Sequence, residues 1–210
     1  MREKLPEPSI QRLCLLYRLL SRVEKEGRLT VNSGFLAEQL NVKATSIRRD
    51  ISLLGEFGNT IAGYEVQPLK QAIFKGLGLE SVKRACIVGL GRLGASILNY
   101  QGFLMGDVMV VAGFDSNINM LEMMESAVSL YPAYQIDEIV RSRNIEIGII
   151  TVPMKAAQGV ADKLIQAGIK GILNFTPVVL KSDNSRVTIR NLDFFSELLI
   201  LSAAISLKER

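Results

Sequence analysis

Three glycines in Gly89-Leu90-Gly91-Arg92-Leu93-Gly94 and one acid, Asp115, have the types and spacing that point most directly to chemistry. An apolar run, Ala85-Cys86-Ile87-Val88, leads into the glycines, and Ala95-Ser96-Ile97-Leu98-Asn99-Tyr100 continues them in a helical pattern. In a strand–turn–helix of this kind the first glycine allows a tight turn. The second lets the backbone approach a pyrophosphate, and the third lets helix pack closely on strand. The N–H groups that open the helix add partial positive charge toward the phosphates. Asp115 ends a second apolar run, Val108-Met109-Val110-Val111-Ala112-Gly113-Phe114, 21 positions beyond Gly94. A carboxylate at that distance can take the ribose hydroxyls of a dinucleotide. Ser116-Asn117 follow it with no arginine to hold a 2′-phosphate, which favours NAD(H) over NADP(H). A strand–turn–helix with no ligand is the competing reading, and the two flanking apolar runs weigh against it.

The elements that must position these residues belong to a chain of 210 residues, room for two domains. Hydrophobic content of 48% supports a packed core. No apolar run reaches the ~20 residues of a membrane span, and the start, Met1-Arg2-Glu3-Lys4 with Pro6 and Pro8, lacks a signal-peptide core. A cytoplasmic protein away from the membrane is expected. Cys14 and Cys86 lie in unrelated apolar segments and are expected as small core residues rather than a disulfide or metal site. Histidine is absent, which removes the commonest general acid–base group and transition-metal ligand; no metal site and no catalytic residue is expected.

The front of the chain carries the charge excess. Residues 1–78 hold 12 Lys/Arg against 8 Asp/Glu, whereas residues 79–210 hold 13 of each. Such asymmetry suggests that the front meets an anion, with nucleic acid the usual candidate. Its apolar spacing predicts a helix from Ser9 to Glu26 stopped by Gly27, then a short strand at Arg28-Leu29-Thr30-Val31. Ser33 can cap a second helix, Phe35 to Leu40, and a third runs from about Ala44 to Leu54. This third helix turns Ile47, Ile51 and Leu54 to one side and Thr45, Ser46, Arg48, Arg49 and Ser52 to the other. Two short helices with a polar, basic face on the second form a helix-turn-helix, whose N-terminal side chains reach base edges in the major groove. The following Gly55–Val66 segment reads as two short strands around a turn, the place of a DNA-binding wing. A small helical bundle with solvated arginines is the plain alternative.

Pro68 opens a linking helix that closes around Gly76 and Gly78. Beyond it strand and helix alternate, predicting a mostly parallel sheet. The stripe Met120, Met123, Met124 is read as helix packing, and Asp137 as the cap of a short helix ending near Asn144. Further strands at Ile145-Glu146-Ile147-Gly148-Ile149-Ile150-Thr151-Val152 and Gly171-Ile172-Leu173-Asn174-Phe175 flank a helix from Lys155 to Ala167. Their ends, Thr151-Val152-Pro153 and Asn174-Phe175-Thr176-Pro177, belong on the ligand-facing rim. A last helix from Asp193 to Leu207 is apolar nearly all round and must be covered, most simply by a second subunit. The expected fold is α/β: residues 1–78 a winged helix-turn-helix, 79–191 a Rossmann-type parallel sheet, and 192–210 a C-terminal dimerisation helix.

The combination resembles the Rex family of bacterial redox-sensing transcriptional repressors over nearly the full length. The likeness is carried by Ser46-Ile47-Arg48-Arg49-Asp50-Ile51, by Gly55-Glu56-Phe57-Gly58 with Gly63-Tyr64, and by the Gly89–Gly94 fingerprint. It continues through Asn99-Tyr100, Phe114-Asp115, Thr151-Val152-Pro153 with Ala157-Gln158, and the block from Ala167 to Pro177. What the resemblance implies is a homodimer with a swapped terminal helix that reads the NADH/NAD+ ratio and leaves a near-palindromic double-stranded operator when NADH binds. The implied DNA contacts are Lys43, Thr45, Ser46, Arg48 and Arg49 with Asn59 and Thr60 at the wing. The implied nucleotide contacts are Gly89, Leu90, Gly91, Arg92, Leu93, Gly94, Tyr100, Asp115, Thr151, Val152, Pro153, Asn174, Phe175 and Pro177, and Asp193 matches a switch position.

Some positions depart from the family pattern. Asn59-Thr60-Ile61-Ala62 stands where two basic residues are usual, and each lost phosphate contact lowers the salt slope of binding by about one. Arg92 replaces a common asparagine, Gln101 a proline, and Ile118-Asn119-Met120-Leu121 a basic, glycine-bearing segment. Within the resemblance, these departures point to a divergent paralogue. Two other functions compete: a small NAD-dependent oxidoreductase, which residues 79–210 leave without a substrate domain, and a transcription factor sensing a CoA-type ligand on the same sheet.

Overall fold

The computed structural model describes residues 5–55, 63–100 and 108–208. Two compact units divide at Ser81/Val82.

In the first unit, α1 (Glu7–Lys25) turns Leu13, Leu16, Leu20 and Val23 inward at helical spacing. Pro6 precedes it, where a missing N–H costs nothing, and Gly27 ends it at φ 80°. The short strand β1 (Thr30–Val31) leads to α2 (Ser33–Leu40). The cap of α2 is Asn32 rather than Ser33: its Oδ1 accepts the Phe35 N–H at 2.8 Å, and Ser33 is already helical. Asn41 closes the helix in the left-handed conformation, φ 52°. After it, α3 (Ala44–Ser52) buries Ile47 and Ile51 against α1. The strand β2 (Tyr64–Glu65) pairs antiparallel with β1, and α4 (Val66–Gly76) lays Leu69 and Ile73 on the same core. Pro68 therefore sits inside the first turn of α4, two residues after its start. Tyr17 and Phe74 stack at 5.9 Å and join α1 to α4. Of the expected wing, residues 56–62, with Asn59 and Thr60, lie outside the described residues.

The second unit is a six-stranded parallel sheet in the order β5-β4-β3-β6-β7-β8. Its strands are β3 (Lys83–Val88), β4 (Val108–Asp115), β5 (Ser129–Pro132), β6 (Ile147–Ile150), β7 (Gly171–Asn174) and β8 (Thr188–Asn191). Alternation along β3 explains the two faces. Cys86 and Val88 enter a core with Ala112, Phe114, Ile150 and Ile172, while Ala85 and Ile87 enter another with Val110, Leu98 and Ile149. On the first face α8 (Met154–Ala167) presents Ala157, Ala161 and Leu164, small enough that Leu164 rides directly over Gly148. On the second lie α5 (Arg92–Leu98) and α6 (Ile118–Met123). The short α7 (Ile136–Ser142) follows a single turn of 3-10 helix, and α9 (Phe194–Lys208) ends the described chain.

Three local expectations are corrected. Met120 and Met124 pack on the core, but Met123 is 86% exposed, because α6 ends there and turns only one side inward. Asp137 lies within the first turn of α7, not at its cap, and pairs with Arg141 one turn on. Cys86 is buried, whereas Cys14 is on the exposed side of α1, between the inward-facing Leu13 and Leu16.

Candidate functional site

In the second unit, the carboxyl ends of β3, β4, β6 and β7 share one rim, as parallel strands require. The order reverses between β3 and β6: the chain moves outward from β3 to β4 and β5, then returns to β6 on the other side. Loops leaving β3 and β6 diverge at that point and open a crevice, the usual place for a ligand in an open α/β sheet.

The three fingerprint glycines do different work. Gly89 has φ 95°, and a Cβ there would meet the Thr151 carbonyl at 2.8 Å. At Gly94 a Cβ would lie 1.9 Å from the Gly89 carbonyl oxygen, so α5 packs directly on the loop that starts it. A Cβ on Gly91 would meet nothing within 4 Å among the described residues. Fold packing thus explains two of the glycines, and the third leaves bare backbone facing open space. That space fits a pyrophosphate, which needs close backbone approach and supplies two charged phosphates to exposed N–H groups.

Around this opening the rim is fastened by hydrogen bonds. The Thr151 hydroxyl donates to the Gly89 carbonyl at 2.6 Å, and its N–H donates to the Val88 carbonyl at 2.9 Å. Asp115 accepts the Leu90 N–H at 2.7 Å on one oxygen and the Asn117 N–H at 2.9 Å on the other. Its carboxylate is therefore beside the fingerprint loop with lone pairs to spare, the position a ribose-binding acid needs. Leu90 turns its side chain inward, 1% exposed, so only its backbone is offered to the opening. Arg92 and Leu93 are exposed at the start of α5, Val152 is half-buried, and Pro153 is exposed ahead of α8. Tyr100 is 62% exposed beyond α5.

Asn174 stands differently from its neighbours. It is fully buried; its amide donates to the Val178 carbonyl at 2.6 Å and to Asn191 Oδ1 at 2.8 Å, while its own oxygen accepts the Thr176 N–H and hydroxyl. Its side chain holds the rim in shape and ties β7 to β8. Phe175 is half-buried and stacks on Phe194 at 5.8 Å, and Pro177 is exposed. Asp193 opens α9, accepting the Ser196 hydroxyl at 2.6 Å and the Phe195 N–H at 3.0 Å. The Ser196 hydroxyl, first, and these amides hold its carboxyl below the usual carboxylate range. All of α9 is exposed in the single chain, including Phe194, Phe195, Leu198, Leu199, Ile200 and Leu201.

In the first unit, α3 shows Thr45, Arg48 and Arg49 to solvent, with Lys43 exposed just ahead and Ser46 half-buried. Arg48 donates to the Ser33 hydroxyl at 3.2 Å, which steadies the basic side chain against α2. The inner side of α3 carries a feature the sequence reading passed over. Asp50 is completely buried and takes two hydrogen bonds from Arg12 of α1, at 2.5 and 2.9 Å. This pair raises the Arg12 pKa above its ordinary value, chiefly through the hydrogen bond to Asp50. A signal was available: an acid between Ile47 and Ile51, in the apolar stripe, demands a buried cation. The exposed, net-cationic face is suited to a polyanion, and the helix that carries it is locked to the core. Among the described residues no helix is long and apolar enough to cross a membrane, and no group of three metal-ligating side chains occurs.

Comparison with known proteins agrees with this division. Residues 4–52 match the family described as a putative DNA-binding protein N-terminus, and residues 80–178 match the CoA binding domain family. The chain is similar to the redox-sensing transcriptional repressor Rex of Desulforamulus reducens, 36% identical over 99% of this chain and 98% of that one. It is likewise similar to the Rex of Syntrophomonas wolfei, 38% identical with the same coverage, and to Rex 1 of Thermotoga maritima, 35% identical over 98% of both. Among solved structures it resembles RSP, a Rex-family repressor, in complex with β-NAD+ and operator DNA: TM-score 0.89 and 30% identity over 99% of this chain and 95% of that one. RSP in complex with β-NADH gives TM-score 0.85 and 29% identity over 99% and 97%.

Proposed function

Because the chain belongs to the Rex family of redox-sensing transcriptional repressors, we propose that it binds operator DNA through α3 and releases it when NADH occupies the crevice at Gly91. The observation that carries this reading is Gly91 itself, the one fingerprint glycine whose space no atom of the described residues fills. Gly89, Leu90, Arg92, Leu93 and Gly94 frame that approach to the pyrophosphate, and Asp115 takes the adenosine ribose. Thr151, Val152, Pro153, Phe175 and Pro177 line the rim toward the nicotinamide, with Asn174 shaping it, and Tyr100 and Asp193 take the nicotinamide-pocket and switch positions that the family resemblance implies. The bound dinucleotide supplies a ring whose charge differs between its oxidised and reduced forms. Lys43, Thr45, Ser46, Arg48 and Arg49 meet the DNA, with Asn59 and Thr60 at the wing.

The regulated form is a homodimer working in the cytoplasm on a near-palindromic operator. The apolar surface of α9 supports this, since a helix exposed on every side in one chain calls for a second chain to cover it. A coupling of about 3 kcal/mol between NADH and DNA would change operator affinity ~150-fold. NAD+ competes for the same crevice without releasing DNA if it binds both forms nearly equally.

A gel-shift titration across NADH/NAD+ ratios tests the proposal: the bound fraction falls as NADH rises at constant total coenzyme. Binding that ignores the ratio would defeat it. The match to the CoA binding domain family keeps one rival in view, a repressor that answers to a CoA thioester. Calorimetry with NADH, NAD+, NADPH and acetyl-CoA separates them, and heat from acetyl-CoA alone would favour the rival.

A further inference from the structure

Arg28 lies outside the recognition helix and outside every contact assigned above. It follows Gly27 at the exit of α1, and its guanidinium carbon sits 4.0 Å above the centre of the Phe35 ring. A guanidinium flat on an aromatic face keeps its charge and turns its N–H edges sideways, free to meet a phosphate. Beside it opens a cavity of about 360 Å³, lined by Arg28, Thr30, Asn32, Phe35 and Gly63 among others. Among the described residues no acid lines this cavity. Of the two acids around the neighbouring hollow that Arg28 also borders, Glu24 is engaged by Lys70, while Glu65 is exposed on β2.

The cavity's position is what gives it meaning. Asn32 and Phe35 belong to the start of α2, and Ser33 of the same turn holds Arg48 of the recognition helix. The start of α2, with Arg28 stacked on its Phe35, thus adjoins the basic face of α3. When a recognition helix lies in a major groove, one phosphate backbone separates that groove from the neighbouring minor groove. A backbone flanking the groove that α3 enters can run past the start of α2, where this cavity opens.

We propose that Arg28, seated over the Phe35 ring, clamps a DNA backbone phosphate at the cavity beside the start of α2, adding a contact that carries affinity but no sequence information. The proposal rests on the operator-binding reading above.

Fluorescence anisotropy of the full-length protein provides the test, on a duplex enriched by the protein from a random pool and on its scrambled counterpart. Salt is varied between 50 and 200 mM. Arg28→Gln is expected to lower the slope of log K against log salt by about 0.9 for each head on the duplex. Across that salt range this is a change of about 3.5-fold per head, equal on both duplexes. Arg28→Lys, which keeps a point charge but not the planar fork, restores most of the slope. A purely structural role predicts that Lys fails to rescue and that the slope stays put while affinity drops. An Arg28→Gln slope equal to wild type, or a loss confined to the enriched duplex, overturns the clamp. Wild-type protein that shows no preference for the enriched duplex would sink the repressor reading instead, while its slope on scrambled DNA still judges Arg28.

Discussion

Alanine at Gly91 separates what the fold needs from what a ligand needs. Gly91 precedes α5 with φ −63° and ψ −169°, a backbone any L-residue adopts, and a methyl there meets no atom within 4 Å. Replacing glycine at a helix entry with alanine costs about 0.5–1 kcal/mol. Restricting the unfolded chain offsets about 0.4–1 kcal/mol. The two nearly cancel, so Gly91→Ala should unfold in urea within about 1 kcal/mol of wild type. The same methyl at Gly94 would stand 1.9 Å from a backbone oxygen and 2.8 Å from Thr151 Oγ1. Relieving that needs a retreat of α5 by roughly 1.5 Å toward ordinary contact distance, at ~1–3 kcal/mol or more.

The coenzyme sees the opposite ranking of causes. A methyl on Gly91 fills the approach to its N–H groups, and losing one hydrogen bond to a charged phosphate oxygen costs about 1.5–3 kcal/mol. NADH affinity by calorimetry should fall about 10- to 150-fold in a protein that remains folded. If Gly91→Ala binds NADH like wild type, the pyrophosphate does not pass over Gly91 and the assignment of the crevice fails. If it unfolds as readily as Gly94→Ala, the division of labour among the glycines is wrong.

Three further outcomes are expected. Arg12→Ala strands the fully buried Asp50 carboxylate and should destabilise the first unit by about 3–5 kcal/mol in urea unfolding, whereas an exposed Arg49→Ala stays within about 0.5 kcal/mol. Burial pushes the Cys86 thiol up to about 12, so a thiol reagent at neutral pH should label the exposed Cys14 in native protein and both cysteines only in denaturant. The Glu146 carboxyl is held below its ordinary range, first by the Lys170 hydrogen bond and also by Lys83. A depressed carboxyl contributes stability above about pH 5 and loses it as pH falls through the folded-state value. Lys170→Met should therefore lower stability at neutral pH by no more than about 1 kcal/mol and leave acid stability nearly unchanged; an equal loss at pH 7 and in acid would contradict this.

Legibility in the sequence followed the range of the interactions involved. The central strands β3, β4, β6 and β7 were readable because burial on both faces forces continuous apolar runs. The outermost strands were not: β5 ends in Pro132, and β8, Thr188-Ile189-Arg190-Asn191, is polar at three of four positions. Strands at the edge of a sheet need no apolar run, so composition is silent there. Ser33 was read as the cap of α2, and only backbone geometry shows that the oxygen reaching the Phe35 N–H belongs to Asn32. The Arg12–Asp50 pair spans 38 positions, beyond any local pattern, although an acid among isoleucines marked one end of it. At the crevice the fingerprint and Asp115 were visible, but the buried network of Asn174, Thr176 and Asn191 was not, since it depends on strand register.

Asp115 serves two masters. The oxygen nearest the fingerprint loop already anchors Leu90, and the same group is what would reject a phosphorylated ribose. Exchanging it for a smaller or cationic side chain would therefore loosen the very turn on which any coenzyme must rest. On the proposed ribose assignment, selectivity and loop integrity are inherited together, so a lineage drifting toward the phosphorylated coenzyme would need a replacement tether in the same step.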